Sequence, residues 1–474
     1  MSSTIRHASR RLLAGGLAAL TLLLAAPADA APQEGRSHER PGTGEPVCGL
    51  GKAFHAGRRA ALRAAVGEGL MLFRGLPATR GYVRFSQDKV FWYLTGIESP
   101  DATLLMDAKS GDEILFLPAP DATKEGWEGE QWDSGDAWVR ELTGFDDVRP
   151  EKQLLGVLRE RLGSQRKVWI STEPHVELAG CHDRAIPDDR QRAKDPLDGR
   201  PSREEALRAA LEKLGAEVLD TTPKIDELRR VKQPEEVSAM RRAGRSGALA
   251  MVEAMRSSRP GIGEWDLEAA MDLVQVREGA AGPAYHAIVG SGPNSNVLHY
   301  SASGRTLRAG EIVLIDYGPE VDHYTTDITR TWPVDGKWTP RMTELYDAVL
   351  AAQQAGIAAV KPGRTMREIE KVCADSLREA GFGDLIRHGS CHYIGLEVHD
   401  VGDGRAPFVP GVAFTVEPGL YDEEAGIGIR IEDVVVVTAD GCEVVTADVP
   451  KDRATISALV AEAGVLDRMD SAGE

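Results

Sequence analysis

The sequence predicts an α+β protein in two parts: an α/β domain, then a domain of helices packed on a curved antiparallel sheet. Three observations predict it. Helix-like and short β-type runs alternate between residues 52 and 225. From Leu228 onward, longer amphipathic helices take over. Between those helices, β-type runs fold back on themselves and carry paired carboxylates among apolar neighbours. With 474 residues, 42% apolar and 27% charged, the chain is long enough to bury sizeable cores.

The elements follow in order. Arg6, Arg10 and Arg11 precede an apolar run from Leu12 to Ala26, and Ala28-Asp29-Ala30 supplies small residues for cleavage. This reads as a signal peptide over residues 1–30, because a membrane-spanning helix needs about 20 apolar residues. The expectation is export to the periplasm or the medium, with no stable membrane anchor once the segment is removed. Ser9-Arg10-Arg11-Leu12-Leu13 also resembles a twin-arginine signal. Residues 31–51, rich in Pro, Gly and charge, read as a flexible lead-in.

In the α/β part (52–225), a helix over Ala53 to Gly67 precedes the strand Leu70 to Phe73. Strands are expected at Thr103 to Met106, Glu113 to Leu117, Val168 to Ser171 and Ala216 to Leu219, with a helix from Arg203 to Gly215. Residues 182–204, dense in charge and interrupted by three prolines, read as an exposed loop. Trp127, Trp132 and Trp138 lie in a polar, Gly-rich segment and are expected to cover a core edge.

In the second part (226–474), Val237, Met240, Ala248, Met251 and Val252 form one face of a helix over Glu235 to Met255. Leu267, Ala270, Met271 and Val274 mark a second helix. Thr365 and Glu368 form the capping box of a third, ending near Gly381.

Composition excludes several functions. A net charge of −18 argues against electrostatic binding of nucleic acid. Five scattered cysteines without a Cys-x-x-Cys pair exclude a zinc ribbon. Gly-x-Ser-x-Gly and His-Glu-x-x-His are both absent, so serine-hydrolase and zincin signatures are missing.

The chemistry lies in two hairpins. Val313 to Tyr317 and Thr325 to Thr331 flank a turn at Val321-Asp322, which sets Asp316 opposite Asp327. Phe414 to Pro418 and Ile427 to Val436 flank a turn at Glu424-Ala425, which sets Glu417 opposite Glu432, with Arg430 on the same face. Like charges facing each other are unfavourable unless a cation lies between them. His388, His392 and His399 offer an imidazole. Four carboxylates and one imidazole suit Mn²⁺ or Co²⁺ better than thiolate-seeking metals, and two divalent ions would balance the charge.

These segments closely resemble the Xaa-Pro aminopeptidase and prolidase family, the proline-specific pita-bread metallopeptidases of peptidase family M24. The resemblance rests on Leu314 to Thr331, His388 to Gly402, Thr415-Val-Glu-Pro-Gly-Leu-Tyr421 and Gly428-Ile-Arg-Ile-Glu-Asp433. Tyr285, His299 and Leu228-Arg-Arg-Val-Lys-Gln-Pro-Glu-Glu-Val extend it, and Phe85 to Gly96 is similar to the creatinase-like N-terminal domain of that family.

The resemblance implies a pita-bread catalytic domain. It further implies two divalent ions, Mn²⁺ foremost and Co²⁺ or Zn²⁺ as alternatives, held by Asp316, Asp327, His392, Glu417 and Glu432. In that reading Asp327 and Glu432 bridge, and Glu417 also handles the proton of the water. His299 and His399 hold the scissile carbonyl and the tetrahedral intermediate, and Arg430 orients ligand carboxylates. Tyr285, His388 and Tyr421 match active-site positions near the substrate.

The implied activity is release of the N-terminal residue from peptides with proline second, by attack of a metal-bridging hydroxide. A prolidase limited to dipeptides is the alternative, and Arg405 could meet the carboxylate of a dipeptide. A non-catalytic pita-bread binding protein is a third reading, opposed by the presence of all five ligand residues. The implied partners are peptide substrates and further copies of the chain, as a dimer or tetramer. Cys391, beside His392, departs from the family pattern and reads as a small buried thiol.

Overall fold

The computed structural model describes residues 47–472. The signal peptide and most of the lead-in lie outside the described residues. Of the lead-in, residues 48–51 are not mobile but packed onto the first domain. Cys48 is buried, its Sγ donates to the Thr95 carbonyl at 3.6 Å, and Gly51 N donates to the Cys48 carbonyl at 2.6 Å.

The first part forms a six-stranded mixed sheet. Its order is Asp147–Pro150, Glu113–Leu117, Thr103–Asp107, Leu70–Arg74, Lys167–Ile170, Glu217–Asp220. Leu70–Arg74 pairs antiparallel with Thr103–Asp107 and parallel with Lys167–Ile170. Leu70 and Leu72 face one apolar cluster, Met71 and Phe73 another. A central strand covered on both faces is apolar without alternation, as this one is. Lys52–Val66 is the opening helix, close to its expected bounds.

Two expectations need correction. The segment 182–204 is not simply a loop, because His182–Arg192 is a helix. Pro187 lies within it, removing one backbone donor and crowding the carbonyl one turn back. Tertiary anchoring offsets that loss: buried His182 Nδ1 sits 2.7 Å from Glu397 Oε1, and His182 N donates to Glu397 Oε2 at 2.8 Å. Trp132 and Trp138 do pack edge to face at the core, with centroids 5.0 Å apart, but Trp127 stands 86% exposed.

The second part places helices Pro234–Ser257, Glu264–Arg277, Pro340–Ala359 and Met366–Glu379 around short antiparallel strands. Met366–Glu379 opens with the expected Thr365/Glu368 capping box and buries Met366, Ile369, Cys373 and Leu377. Among the described residues, no helix is long and apolar enough to cross a membrane.

The two parts interlock. One apolar cluster runs from Phe54, Tyr93 and Leu104 to Val237, Met240, Tyr324, Ile394 and Val434. Lys89, wholly buried, reaches Glu320 Oε2 at 2.9 Å and also donates to the Leu396 carbonyl. Arg229 pairs with Glu397 and Asp400, both at 2.5 Å, and Lys232 reaches Asp400 at 3.1 Å. The loop carrying His399 is thus pinned on both sides.

Glu236 caps Pro234–Ser257 from inside, accepting from Gln233 N and from the Tyr324 hydroxyl, each at 2.7 Å. Burial pushes its carboxyl up to about 7, from 4.5. A folded-state value above the unfolded one gives a contribution that is full below about 4.5 and lost as pH rises through about 7. At about 1.4 kcal/mol per unit, that is roughly 3 kcal/mol. Glu236→Gln should therefore flatten the decline of melting temperature between about pH 5 and 8. An unchanged slope in the variant would show that Glu236 is not the group responsible.

Candidate metal centre

The first hairpin delivers two aspartates, with a corrected register. Asp316 pairs with Thr329 rather than Asp327, and Tyr317 with Ile328. The turn falls at Asp322-His323, where Val321 pairs with Tyr324. Both turn residues have left-handed φ, 51° and 63°, the pattern of a tight hairpin turn without glycine. His323 is held there by stacking on Trp92, centroids 4.2 Å apart, and by an ion pair with Glu98.

Asp316 and Asp327 are consequently diagonal neighbours on one face instead of an opposed pair. The expected strand Thr325 to Thr331 is broken at Thr326-Asp327, between Tyr324–Thr325 and Ile328–Pro333. Gly318 makes the break possible, since a Cβ there would collide with the Thr326 carbonyl.

The second hairpin keeps the expected register. Val416 pairs with Asp433 and Gly419 with Arg430, so the unpaired gap holds Glu417-Pro418 opposite Ile431-Glu432. Proline cannot donate to a ladder, which suits the interruption. Glu432 N turns instead to the Thr329 carbonyl at 3.1 Å, and Thr329 Oγ1 donates to Glu432 Oε2 at 2.7 Å. The ladder breaks at Asp327 in the first hairpin and at Glu417 and Glu432 in the second, whereas Asp316 stays paired within its strand.

His392 comes from a loop that runs beside Ala413–Val416. Thr415 N donates to the His392 carbonyl at 2.9 Å, and His392 N to Thr415 Oγ1 at 3.1 Å. Its Nε2 lies 3.4 Å from Asp327, 3.5 Å from Glu417 and 3.8 Å from Glu432. Asp327, His392 and Glu432 have ligand atoms all within 4.8 Å of one another.

Electrostatics sort these acids. Burial opposes ionisation of Asp316, but Arg430 Nη2 at 2.5 Å holds its carboxyl below the usual range. Burial, then the neighbouring Asp316 charge, pushes Asp327 well up. Burial, then Asp327, does the same to Glu432. Glu432 Oε1 is buried with no hydrogen-bond partner among the described residues. A buried acceptor left bare beside two further carboxylates is what a cation would satisfy. The residues therefore fit divalent metal, by donor chemistry and by this orphaned oxygen.

The remaining expected residues gather around the cluster. The Tyr285 hydroxyl lies 2.5 Å from both Asp316 Oδ1 and Asp327 Oδ1, so it touches the carboxylates themselves. Arg430 Nη1 donates to the Tyr421 hydroxyl at 2.7 Å, which lies 2.8 Å from His388 Nε2. His388 Nδ1 donates to the Gly389 carbonyl at 2.6 Å, so Nε2 accepts from Tyr421. Burial lowers His388 and also, with Arg184 beside it, His299. The His399 ring lies 4.3 Å from that of His392. Cys391 is partly buried against a core cluster, and burial of the thiol raises its pKa. Arg405 is exposed, with its backbone N on Asp403.

Sequence reasoning missed two residues, both on the His182–Arg192 helix. Asp183 Oδ2 is 2.6 Å from His399 Nδ1, and Arg184 Nη2 is 3.1 Å from His299 Nδ1. The bond from His399 lowers Asp183 to about 2. Separations of 216 and 115 residues left no local signal.

Comparison with known proteins bears on this arrangement. Residues 238–439 match the description "Metallopeptidase family M24", and 55–169 match "Aminopeptidase P, N-terminal domain". An Escherichia coli K12 Xaa-Pro aminopeptidase is 33% identical over 412 residues, 80% of this chain and 90% of its own. A Pyrococcus furiosus Xaa-Pro dipeptidase is also 33% identical, but over 47% of this chain and 64% of its own. Among solved structures, proline aminopeptidase P II from Yersinia pestis superposes with a TM-score of 0.73. It shares 33% identity and covers 86% of this chain and 99% of its own.

Proposed function

Because the chain belongs to metallopeptidase family M24, joined to an aminopeptidase P N-terminal domain, and is thus a hydrolase, we propose an Xaa-Pro aminopeptidase. It would release the first residue from peptides with proline second. The observation that carries this reading is the cluster of Asp327, His392 and Glu432, whose ligand atoms lie within 4.8 Å of one another, with Glu432 Oε1 buried and without a hydrogen-bond partner among the described residues. Likeness to an Xaa-Pro aminopeptidase over 80% of the chain, against likeness to a dipeptidase over 47%, supports it over prolidase.

Asp316, Asp327, His392, Glu417 and Glu432 would hold two divalent cations, Mn²⁺ foremost. Such ions bring a water's pKa towards neutrality and polarise the scissile carbonyl. Arg430 holds Asp316 ionised and aimed into the cluster. Glu417, whose Oε1 faces His392 across 3.5 Å, takes the proton of the attacking water and returns it to the departing nitrogen. His299 would donate to the carbonyl oxygen as it gains charge, and His399 would flank the same site. Tyr285, His388 and Tyr421 border the site and contact the substrate. A bond to proline nitrogen has no N–H, so the site needs no acceptor for one.

The test is hydrolysis of Xaa-Pro-Yaa, Xaa-Pro and Xaa-Ala-Yaa peptides by enzyme reconstituted with Mn²⁺. Cleavage of Xaa-Pro-Yaa after its first residue, with Xaa-Ala-Yaa poor, is expected. Turnover of the dipeptide alone would make the protein a prolidase, and comparable turnover of Xaa-Ala-Yaa a general aminopeptidase.

A further inference from the structure

Two histidines of one type are expected to meet one substrate carbonyl, and their surroundings differ in a way that assigns them different hydrogens. His182, Asp183 and Arg184 are consecutive in the first turn of one helix. His182 is clamped to Glu397 and buried, fixing that turn on the loop that ends in His399. Asp183 and Arg184 then reach the two histidines.

Arginine carries five N–H donors and no acceptor. At 3.1 Å from the Arg184 guanidinium, His299 Nδ1 can only accept, so the ring hydrogen resides on Nε2. Asp183 is an acceptor, and its Oδ2 at 2.6 Å requires the hydrogen of His399 to reside on Nδ1. In each ring the helix occupies Nδ1 and leaves Nε2 for the substrate side. A partner on one ring nitrogen decides what the other can do.

We propose that Asp183 and Arg184 are positioning residues that impose opposite tautomers on His399 and His299. Arg184 makes His299 a fixed N–H donor to the substrate carbonyl. Asp183 orients His399 through Nδ1. This assignment rests on the aminopeptidase reading for its substrate, but the tautomers themselves do not depend on that reading.

Substitutions at 184 separate the possibilities, because side chains can be chosen as donor, neither or acceptor. Arg184→Lys retains a donor-only group and should keep near-normal kcat. Arg184→Met removes it and should lower kcat about 10- to 100-fold with KM little changed, the usual effect of losing a residue that orients a site histidine. Arg184→Glu draws the hydrogen to Nδ1 and should fall further, towards the ~10⁴-fold loss of a histidine in the wrong tautomer. Asp183→Ala should cost about 10- to 100-fold. Metal content, measured on each variant, should stay at the wild-type level.

Nitrogen-15 spectra of histidine-labelled, Zn²⁺-loaded protein read the tautomers directly, with His299→Gln and His399→Gln variants assigning the signals. Wild type should show His299 protonated at Nε2 and His399 at Nδ1. The inference is overturned if His299 carries its hydrogen on Nδ1, or if Arg184→Met and Arg184→Glu are equally impaired. It is also overturned if Arg184→Met raises KM only for peptides with a free C-terminal carboxylate and not for their amides, because Arg184 would then bind substrate itself. Should wild type ignore proline peptides while the tautomers stand as assigned, the substrate reading fails and this one holds.

Discussion

Glu417→Gln is expected to lower turnover by about 10²–10⁴-fold while the fold survives. Glutamine keeps the shape and one oxygen donor but cannot accept the proton of a water at neutral pH. The side chain is only 15% exposed and lies between His392, 3.5 Å away, and His388, 3.9 Å away. No other carboxylate of the cluster is so free: Asp316 is tied to Arg430, Asp327 to Tyr285, and Glu432 to Thr329. The measurement is kcat at saturating Mn²⁺, with circular dichroism and metal content as controls. Near-normal kcat would show that another group moves the proton. Asp316→Asn should behave differently, weakening metal binding so that excess Mn²⁺ partly restores activity.

Removing metal should abolish activity altogether, and Mn²⁺ or Co²⁺ should restore it best. Without cations the cluster keeps Asp327 and Glu432 as costly buried acids, so metal should also stabilise the fold. At free metal about a thousandfold above Kd, the gain is about 4 kcal/mol, read as a higher melting temperature. Two ions per chain are expected by elemental analysis after dialysis against chelator and reloading. Full activity in a metal-free preparation, or saturation by a single ion, would contradict this assignment.

Much of this site was legible before any coordinates. Glu417 and Glu432 could be paired from index symmetry alone because the turn around Glu424-Ala425 is regular and the register is continuous across the gap. The first hairpin misled by one pair because its turn uses Asp322-His323 with left-handed φ and no glycine. Distant partners support that choice: His323 stacks on Trp92 and pairs with Glu98, more than two hundred residues away, and Asp322 pairs with Arg242. The His182–Arg192 helix was hidden for a similar reason. Its local composition, charged and containing Pro187, favours a loop, and the contacts that override it come from Glu397, His399 and His299. Secondary structure set by distant partners leaves little trace in a short window.

The buried ion pairs between the two parts have a consequence for anyone cutting the chain. A fragment starting near residue 226 would retain Glu320 and Glu397 but lose Lys89 and His182, and with them the apolar surface of the first domain that covers this region. Within the intact chain, removing one partner of such a buried pair typically costs about 3–5 kcal/mol, against a whole-domain stability of about 5–15 kcal/mol. The two matched regions, 55–169 and 238–439, look portable as modules. They are not, because each is part of the solvent-excluding wall of the other, and transplanting the metal-binding half means bringing its lysine and histidine along.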